Sequence, residues 1–261
     1  MKKFNILFIL FIMFCFTSCV DIEEHYDFKL DGSCNVVYGF DMGRAVSVLM
    51  NLMTDSVKQT AQFGMVKDTT LNFYSALPDS TQHKMTTEEV KMAQSSSLAI
   101  KMDLKKSIMK VSINHLAKNS ADLQYYLQHI SKISMGNQLN NVAKTSKQTS
   151  VIGKQASGFD AQQLVAGQDY YSYEVTPHKF YRIIDKAKFN AFLKKTASTF
   201  AMAKAMLIDM PYKVVLNFAT PVKKVNNPRA IISADRKRVT LIADMDEVIK
   251  DPSVMNLKID F

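Results

Sequence analysis

Ser107 and Lys110 are the pair of residues whose types and spacing most closely match catalytic machinery. In hydrolases with a Ser-x-x-Lys motif, serine is the nucleophile, and the motif begins a helix so that both side chains share one face. Here apolar residues alternate over residues 98–104 and again over 109–113, which predicts two strands with a turn between them. No Lys-Thr-Gly companion follows. We therefore expect a structural turn at this position, and we expect that the protein is not an enzyme.

Metal and cofactor sites are not indicated either. The 5 histidines fall at no ligand spacing, and neither a His-Glu-x-x-His motif nor paired Cys-x-x-Cys motifs occur. Residues 244–247 include three acidic side chains, but they lack the glycine and the spaced final glutamate of a calcium loop. There is also no Walker loop, no glycine-rich dinucleotide turn and no Gly-x-Ser-x-Gly elbow. We expect no metal and no other cofactor.

Aspartate precedes a hydroxyl residue in triplets at Ser56, Thr69 and Ser80. These triplets resemble the O-glycosylation acceptor of exported Bacteroidota proteins. Asp-Ser and Asp-Thr pairs also serve in turns and helix caps, which is the alternative interpretation. Thr69 and Ser80 are the better candidates, because Ser56 falls inside a predicted helix.

The N-terminus has the three parts of a secretory signal: a basic start, an apolar run over residues 4–16 and two small residues before Cys19. The apolar run is shorter than the roughly 20 residues that span a bilayer. Phe-Thr-Ser-Cys resembles the bacterial lipobox, although leucine usually stands at its first position. The resemblance implies cleavage after residue 18 and a lipid on Cys19. A secreted protein with a disulfide between Cys19 and Cys34 is the alternative.

Acidic residues follow the cysteine directly, at Asp21, Glu23 and Glu24. They resemble the sorting tag of Bacteroidota surface lipoproteins, and the alternative is a solvated tether. We expect an acidic tether over residues 19–25 and an anchor in the outer membrane, with the periplasmic and cell-surface faces both open. The formal net charge of +9 favours anionic partners. Nucleic acid is excluded for an exported chain, whereas lipid head groups stay in consideration.

The remaining residues, 26–261, predict one domain in which hairpins alternate with amphipathic helices. Hairpins are predicted over residues 26–40, 98–113 and 170–184, and further strands over residues 214–261. Helices are predicted from near Gly43, after Ser120 and over residues 187–207. Helices that follow antiparallel pairs indicate an α+β fold with antiparallel sheets. A mobile polar loop is predicted at about residues 136–168.

The opening of the mature chain, from Cys19 through the turn at residues 31–33 to Asp41, resembles small lipoproteins with an LppM-like domain. The closing segment, residues 219–241, is similar to the last strands of those proteins but lacks their glycine. The resemblance covers about a third of the chain. It implies an α+β domain with a lipid- or glycolipid-binding role, and it transfers no functional residue.

We therefore expect a lipid-anchored envelope lipoprotein whose non-enzymatic domain binds an apolar or amphipathic ligand or an envelope protein partner. A structural or accessory subunit of an envelope assembly is the alternative. An envelope hydrolase is the third, and it requires serine, lysine or aspartate gathered in a cleft.

Overall fold

A computed structural model describes residues 20–59, 64, 66–130, 170–205 and 209–261. The predicted polar loop at about residues 136–168 lies outside these residues, as does Cys19. Across the described ranges, the helices are too short or too polar to cross a bilayer.

The strands of the described chain form two sheets. They are β1 Asp21–Phe28, β2 Cys34–Asp41, β3 Val66–Asn72, β4 Ser96–Asp103, β5 Ile108–Ala117, β6 Tyr171–Thr176, β7 Lys179–Ile184, β8 Pro211–Phe218, β9 Lys224–Val225, β10 Ile231–Ile232, β11 Arg238–Asp244 and β12 Leu257–Asp260. The larger sheet has the order β10-β11-β8-β1-β2-β5-β4-β3, and the smaller one β6-β7-β12-β9. All pairs are antiparallel except β1 with β8. The predicted α+β class with antiparallel sheets is confirmed.

Helices connect these strands. They are α1 Gly43–Leu52, α2 Asp55–Lys58, α3 Phe73–Ala76, α4 Asp79–Gln82, α5 Thr87–Gln94, α6 Ser120–His129, α7 Lys186–Ala205 and α8 Met245–Lys250, with 3₁₀ turns at Leu104–Lys106 and Pro252–Met255. Two of them begin with side-chain caps that local sequence explains: Thr86 and Glu89 form a capping box at α5, and Asn119 caps α6 one residue before the predicted Ser120.

The first hairpin shows why the chain pairs as it does. Gly32 has φ of 83° in its turn, where glycine carries no Cβ penalty, and the Asp31 side chain accepts from the Ser33 N–H at 2.9 Å. Burial then alternates along both strands, so that Ile22, Glu24 and Tyr26 face the second sheet. Glu24 is therefore placed on a core-facing row.

Two expectations are corrected by the strands. Residues 19–25 were predicted to form a tether, but from Asp21 onward they belong to strand β1. Val20 and Ile22 are buried, and this burial fixes the segment in the sheet. Residues 66–72, which are absent from the predicted strands, form the edge strand β3. An edge strand has one free side and little burial, so its sequence needs few apolar residues.

Aromatic side chains fill the space between the two sheets. Phe180 on β7 lies 5.1 Å from Tyr26 and 5.8 Å from Phe28, measured between ring centroids. Phe28 stacks on Phe218 at 4.9 Å, and Phe261 packs against both of these rings at 5.1 and 4.6 Å. The last residue of the printed sequence thus contributes to the same core as the first strand.

Candidate functional site

The start of the described chain lies inside the fold. Val20, the residue after Cys19, is only 5% exposed, and its N–H donates to the carbonyl of Asp209 at 3.1 Å. Asp21 then pairs with Asp41 on β2 and opens β1. The residue that follows Cys19 is therefore already fixed to the larger sheet.

Several chain segments meet where β1 begins, and we call this region the entry end. It comprises the starts of β1, β3, β5 and β8, the ends of β2, β4 and β11, and the Leu104–Lys106 turn. The strand register shows that these ends lie side by side, because it aligns one residue from each of five neighbouring strands: Asp21, Asp41, Lys110, Lys101 and Asp68. Lys105 and Lys106 are exposed in the turn, and Val66 is 68% exposed at the start of β3. The entry end therefore presents basic, acidic and apolar side chains together.

Close packing holds the turn of the entry end against α1. The N–H of Met42 donates to the Met109 carbonyl at 2.8 Å, and a Cβ on Gly43 would stand 2.5 Å from the carbonyl oxygen of Ser107. Only glycine fits this approach without movement of the backbone. The position of the turn is consequently fixed by backbone contacts.

The Ser107–Lys110 motif lies in this packing. Ser107 has φ of 53° at the end of the 3₁₀ turn, and the Lys110 ammonium contacts the Asp41 carboxylate at 2.7 Å. Partial burial would raise the pKa of Asp41, but the hydrogen bonds from Lys110 and the Gly43 N–H, together with the charges of Lys110 and Arg44, lower that pKa. The predicted turn is confirmed, and Lys110 is part of an ion pair.

The three acidic residues after Cys19 have three different environments. Asp21 is exposed, whereas the Glu23 carboxylate lies 2.6 Å from Lys213 Nζ and 3.0 Å from His25 Nε2. Burial alone would raise the pKa of Glu23, yet the bonds from Lys213 and His25 lower it. Glu24 is 0% exposed. As strand residues they do not form a flexible acidic tether, and a sorting role for them stays a prediction.

Glu24 is the centre of a buried polar cluster that the sequence did not reveal. Its carboxylate accepts from Arg182 Nη2 at 3.2 Å, from the Tyr26 hydroxyl at 2.7 Å and from the Tyr212 hydroxyl. Arg182 Nη2 also donates to the Tyr212 oxygen at 2.7 Å. Since Arg182 lies on β7, this cluster joins the first strand to the second sheet.

The guanidinium of Arg182 is stabilised by charge and by an aromatic face. Its Cζ lies 3.6 Å from the centroid of the Tyr171 ring, within cation–π range. Burial alone would lower the pKa of Arg182, but the charge of Glu24 raises it well above its ordinary value. Burial and the Glu24 charge also raise the pKa of Tyr26. The side chains of Glu24 and Arg182 are both 0% exposed, so the pair connects the two sheets without contact with solvent.

A second buried polar pair, Ser96 and His115, was also missed. Ser96 Oγ donates to the Met92 carbonyl at 2.7 Å and lies 2.8 Å from His115 Nδ1, and the His115 ring stacks on Tyr126 at 3.9 Å. Burial lowers the pKa of His115 to about 4. The only sequence signal was its place in the alternating apolar run of β5. Its role is structural, because His115 is 3% exposed and out of reach of a substrate.

The three candidate acceptor residues are separated in the fold. Ser56 is exposed in α2 and Ser80 is exposed in α4. Thr69 is half-buried on β3 opposite Ile100, on the face that packs toward the core. The structure therefore gives Ser56 and Ser80 more access than Thr69.

A small cavity lies near the far end of β1, beside Phe28, Cys34, Leu123 and Phe261. Its volume of about 40 Å³ holds water rather than an acyl chain. Cys34 is 1% exposed and behaves as a small buried hydrophobe, and burial raises the pKa of its thiol far above the ordinary range. No group of three metal-ligating side chains is found among the residues that the structure describes.

Comparison with known proteins returned no matching family model, no matching curated protein and no matching solved structure.

Proposed function

We propose that the chain is a lipid-anchored outer-membrane lipoprotein whose non-enzymatic domain acts through its surface as a binding or accessory subunit for an envelope protein partner. The observation that carries this proposal is the fixed start of the domain: Val20, immediately after Cys19, is buried and hydrogen-bonded into the larger sheet. A lipid on Cys19 would thus hold the whole rigid domain at the membrane surface.

The position of Cys34 favours lipidation of Cys19 over a disulfide. Cys34 pairs with Phe28, at the opposite end of β1 from Asp21. An eight-residue strand separates these ends by about 23 Å. The two residues from Cys19 to Asp21 reach at most about 7 Å, and the Cα atoms of a disulfide lie within about 7 Å. A Cys19–Cys34 bond would therefore require β1 to leave the sheet.

The packed interior favours a surface function over enclosure of a lipid. In the part of the chain that the structure describes, aromatic rings pack between the sheets around Phe28, and the cavity beside Cys34 has room for water but not for an acyl chain. Among the residues that the structure describes, Ser107 of the Ser-x-x-Lys motif lies in a tight turn, and Ser96, which contacts His115, lies in the core. These features support a partner-binding domain without a catalytic centre.

The anchor is tested by metabolic labelling with a palmitate analogue in cells that export the full chain. We expect label on the wild-type protein and on Cys34→Ala, and none on Cys19→Ala. Cys34→Ala is the matched control, since it removes the other mature cysteine at a small cost in core packing. Label retained by Cys19→Ala, or absent from the wild type, would overturn the anchor.

The partner is tested with protein purified from its own membrane after crosslinking. Reproducible crosslinks from exposed lysines to one envelope protein would support the proposal. A lipid that co-purifies in stoichiometric amount from the delipidated domain, without any such protein, would instead favour the apolar-ligand hypothesis and overturn the surface function.

A further inference from the structure

We infer that the entry end lies against the phospholipid head groups around the anchor, with the Leu104–Lys106 turn on the membrane side. This inference rests on the lipid anchor proposed above, and it adds the orientation of the domain and the residues that contact the membrane. The occupant of this surface is a bilayer leaflet that contains anionic phospholipid.

The length of chain before the sheet sets the distance to the membrane. Cys19 is one residue from Val20, which is buried and bonded to Asp209. The two residues that lead from Cys19 to Asp21 reach about 7 Å. The head-group layer of one leaflet is itself about 5–8 Å thick. A domain with so short a link cannot stand clear of the head groups, and the end that carries β1's start is the end that meets them.

Charge decides which side of the entry end turns toward the lipid. Lys105 and Lys106 are exposed on the turn between β4 and β5. The strand order places this turn two to three strands from β1, and neighbouring strands lie about 4.8 Å apart. On the other side of β1, the β11–α8 junction carries Asp244 and Asp246. An anionic surface attracts the first side and repels the second, so the domain tilts about its anchor toward the turn.

The neighbouring carboxylates leave the turn with a small surplus of positive charge. Asp41 is paired with Lys110 at 2.7 Å, Asp68 with Lys101 at 3.7 Å and Asp103 with Lys106 at 3.2 Å, so these charges balance and Lys105 adds one positive charge. Val66, at the start of β3, is 68% exposed and adds an apolar contact. Basic and apolar side chains together suit the interfacial layer of a bilayer.

Lysine acetylation read by mass spectrometry tests this orientation on the intact lipoprotein. The protein is reconstituted into vesicles of phosphatidylethanolamine with phosphatidylglycerol, and in parallel into phosphatidylcholine vesicles. We expect acetylation of Lys105 and Lys106 to be at least about fivefold slower in the anionic vesicles, which corresponds to the usual attraction of one lysine to such a surface. Lys29 and Lys237 are the internal controls, because both are exposed at the far end of the larger sheet.

Charge reversal supplies a second readout. In the variant with Lys105→Glu and Lys106→Glu, the anionic vesicles should protect Lys101 from acetylation less than they do in the wild type. The matched variant with Lys29→Glu and Lys237→Glu should show the same protection of Lys101 as the wild type. Equal protection of both ends, or protection of the far end alone, would overturn the orientation. Protection seen only in bilayers with lipopolysaccharide would overturn the assignment to phospholipid.

Palmitate labelling of the same samples separates the two proposals. Labelled protein without protection at Lys105 and Lys106 contradicts the orientation and leaves the anchor intact. Absence of label contradicts the anchor itself, and the orientation then falls with it.

Discussion

The carboxylate of Glu24 and the guanidinium of Arg182 lie 3.2 Å apart although 158 residues separate them in the chain, and neither side chain is exposed. The pair links the first strand of the larger sheet to the second strand of the smaller one. Removal of the two charges from water is costly, so such a pair contributes little net stability. Loss of either partner is nevertheless strongly destabilising, because it leaves the other charge buried and uncompensated.

Glu24→Gln and Arg182→Met are each expected to lower the free energy of unfolding by about 3–5 kcal/mol, because each leaves a buried charge without its partner. The double variant should be markedly more stable than the sum of the single effects predicts. Chemical denaturation of all four proteins measures the coupling.

Glu23→Gln is the matched control for this cycle. Glu23 lies one residue away and has a partner in Lys213, but both side chains are partly exposed, so the loss should stay below about 1 kcal/mol. Simple additivity of the two core substitutions would contradict the dependence of Glu24 on Arg182.

Local patterns predicted the elements of this fold better than its contacts. The hairpin turn at Gly32 and the helix from Gly43 follow from turn chemistry and from 3.6-residue periodicity, and the structure confirms both. Strand β3 was missed, because an edge strand that buries few side chains has little apolar pattern. Glu24 was predicted to lie in an acidic tether, and no local signal indicated that a partner 158 residues away would satisfy it in the core.

Gly43→Ala is expected to destabilise the entry end. Its Cβ would stand 2.5 Å from the carbonyl oxygen of Ser107, and backbone cannot yield as a side-chain tip can. Overpacking of this kind costs about 1–3 kcal/mol. Thermal unfolding measures the loss, and hydrogen exchange at the N–H of Met42, which donates to the Met109 carbonyl, should locate it.

Gly39→Ala is the matched control for that substitution, because the nearest atom to a Cβ at this strand position is 3.8 Å away. It should be neutral or slightly stabilising, since alanine restricts the unfolded chain. Equal losses from the two substitutions would show that contact with the Ser107 carbonyl is not the cause.

Because His115 is buried, we expect the protein to lose stability in mild acid. Its pKa is lowered by burial to about 4 in the folded protein, against an ordinary value of 6.5. The neutral ring is thus favoured by folding, and its contribution is complete above pH 6.5. The contribution declines by up to about 1.4 kcal/mol per pH unit as the pH falls from 6.5 toward 4. Denaturation curves at a series of pH values measure this slope.

His115→Phe isolates the effect, because phenylalanine can keep the stacking on Tyr126 and Ser96 keeps its bond to the Met92 carbonyl. Asp122 is the charged neighbour that partly opposes the shift, and it is unchanged in the variant. The variant should lose the part of the slope between pH 6.5 and 4 that His115 contributes. Identical slopes in the two proteins would assign the acid sensitivity to other groups.

O-glycosylation of the Asp-Ser and Asp-Thr triplets is testable with the exposure of each residue as a guide. A transferase must reach the hydroxyl, and Ser80 is exposed in the short helix α4, whereas Thr69 is half-buried on the core face of β3 beside Ile100. We expect a glycan mass shift on the native protein that Ser80→Ala reduces and that Thr69→Ala leaves unchanged. Ser56, exposed in α2, is the second residue to substitute. Loss of the shift in Thr69→Ala alone would contradict the assignment to Ser80 and would show that partial burial on β3 does not prevent modification.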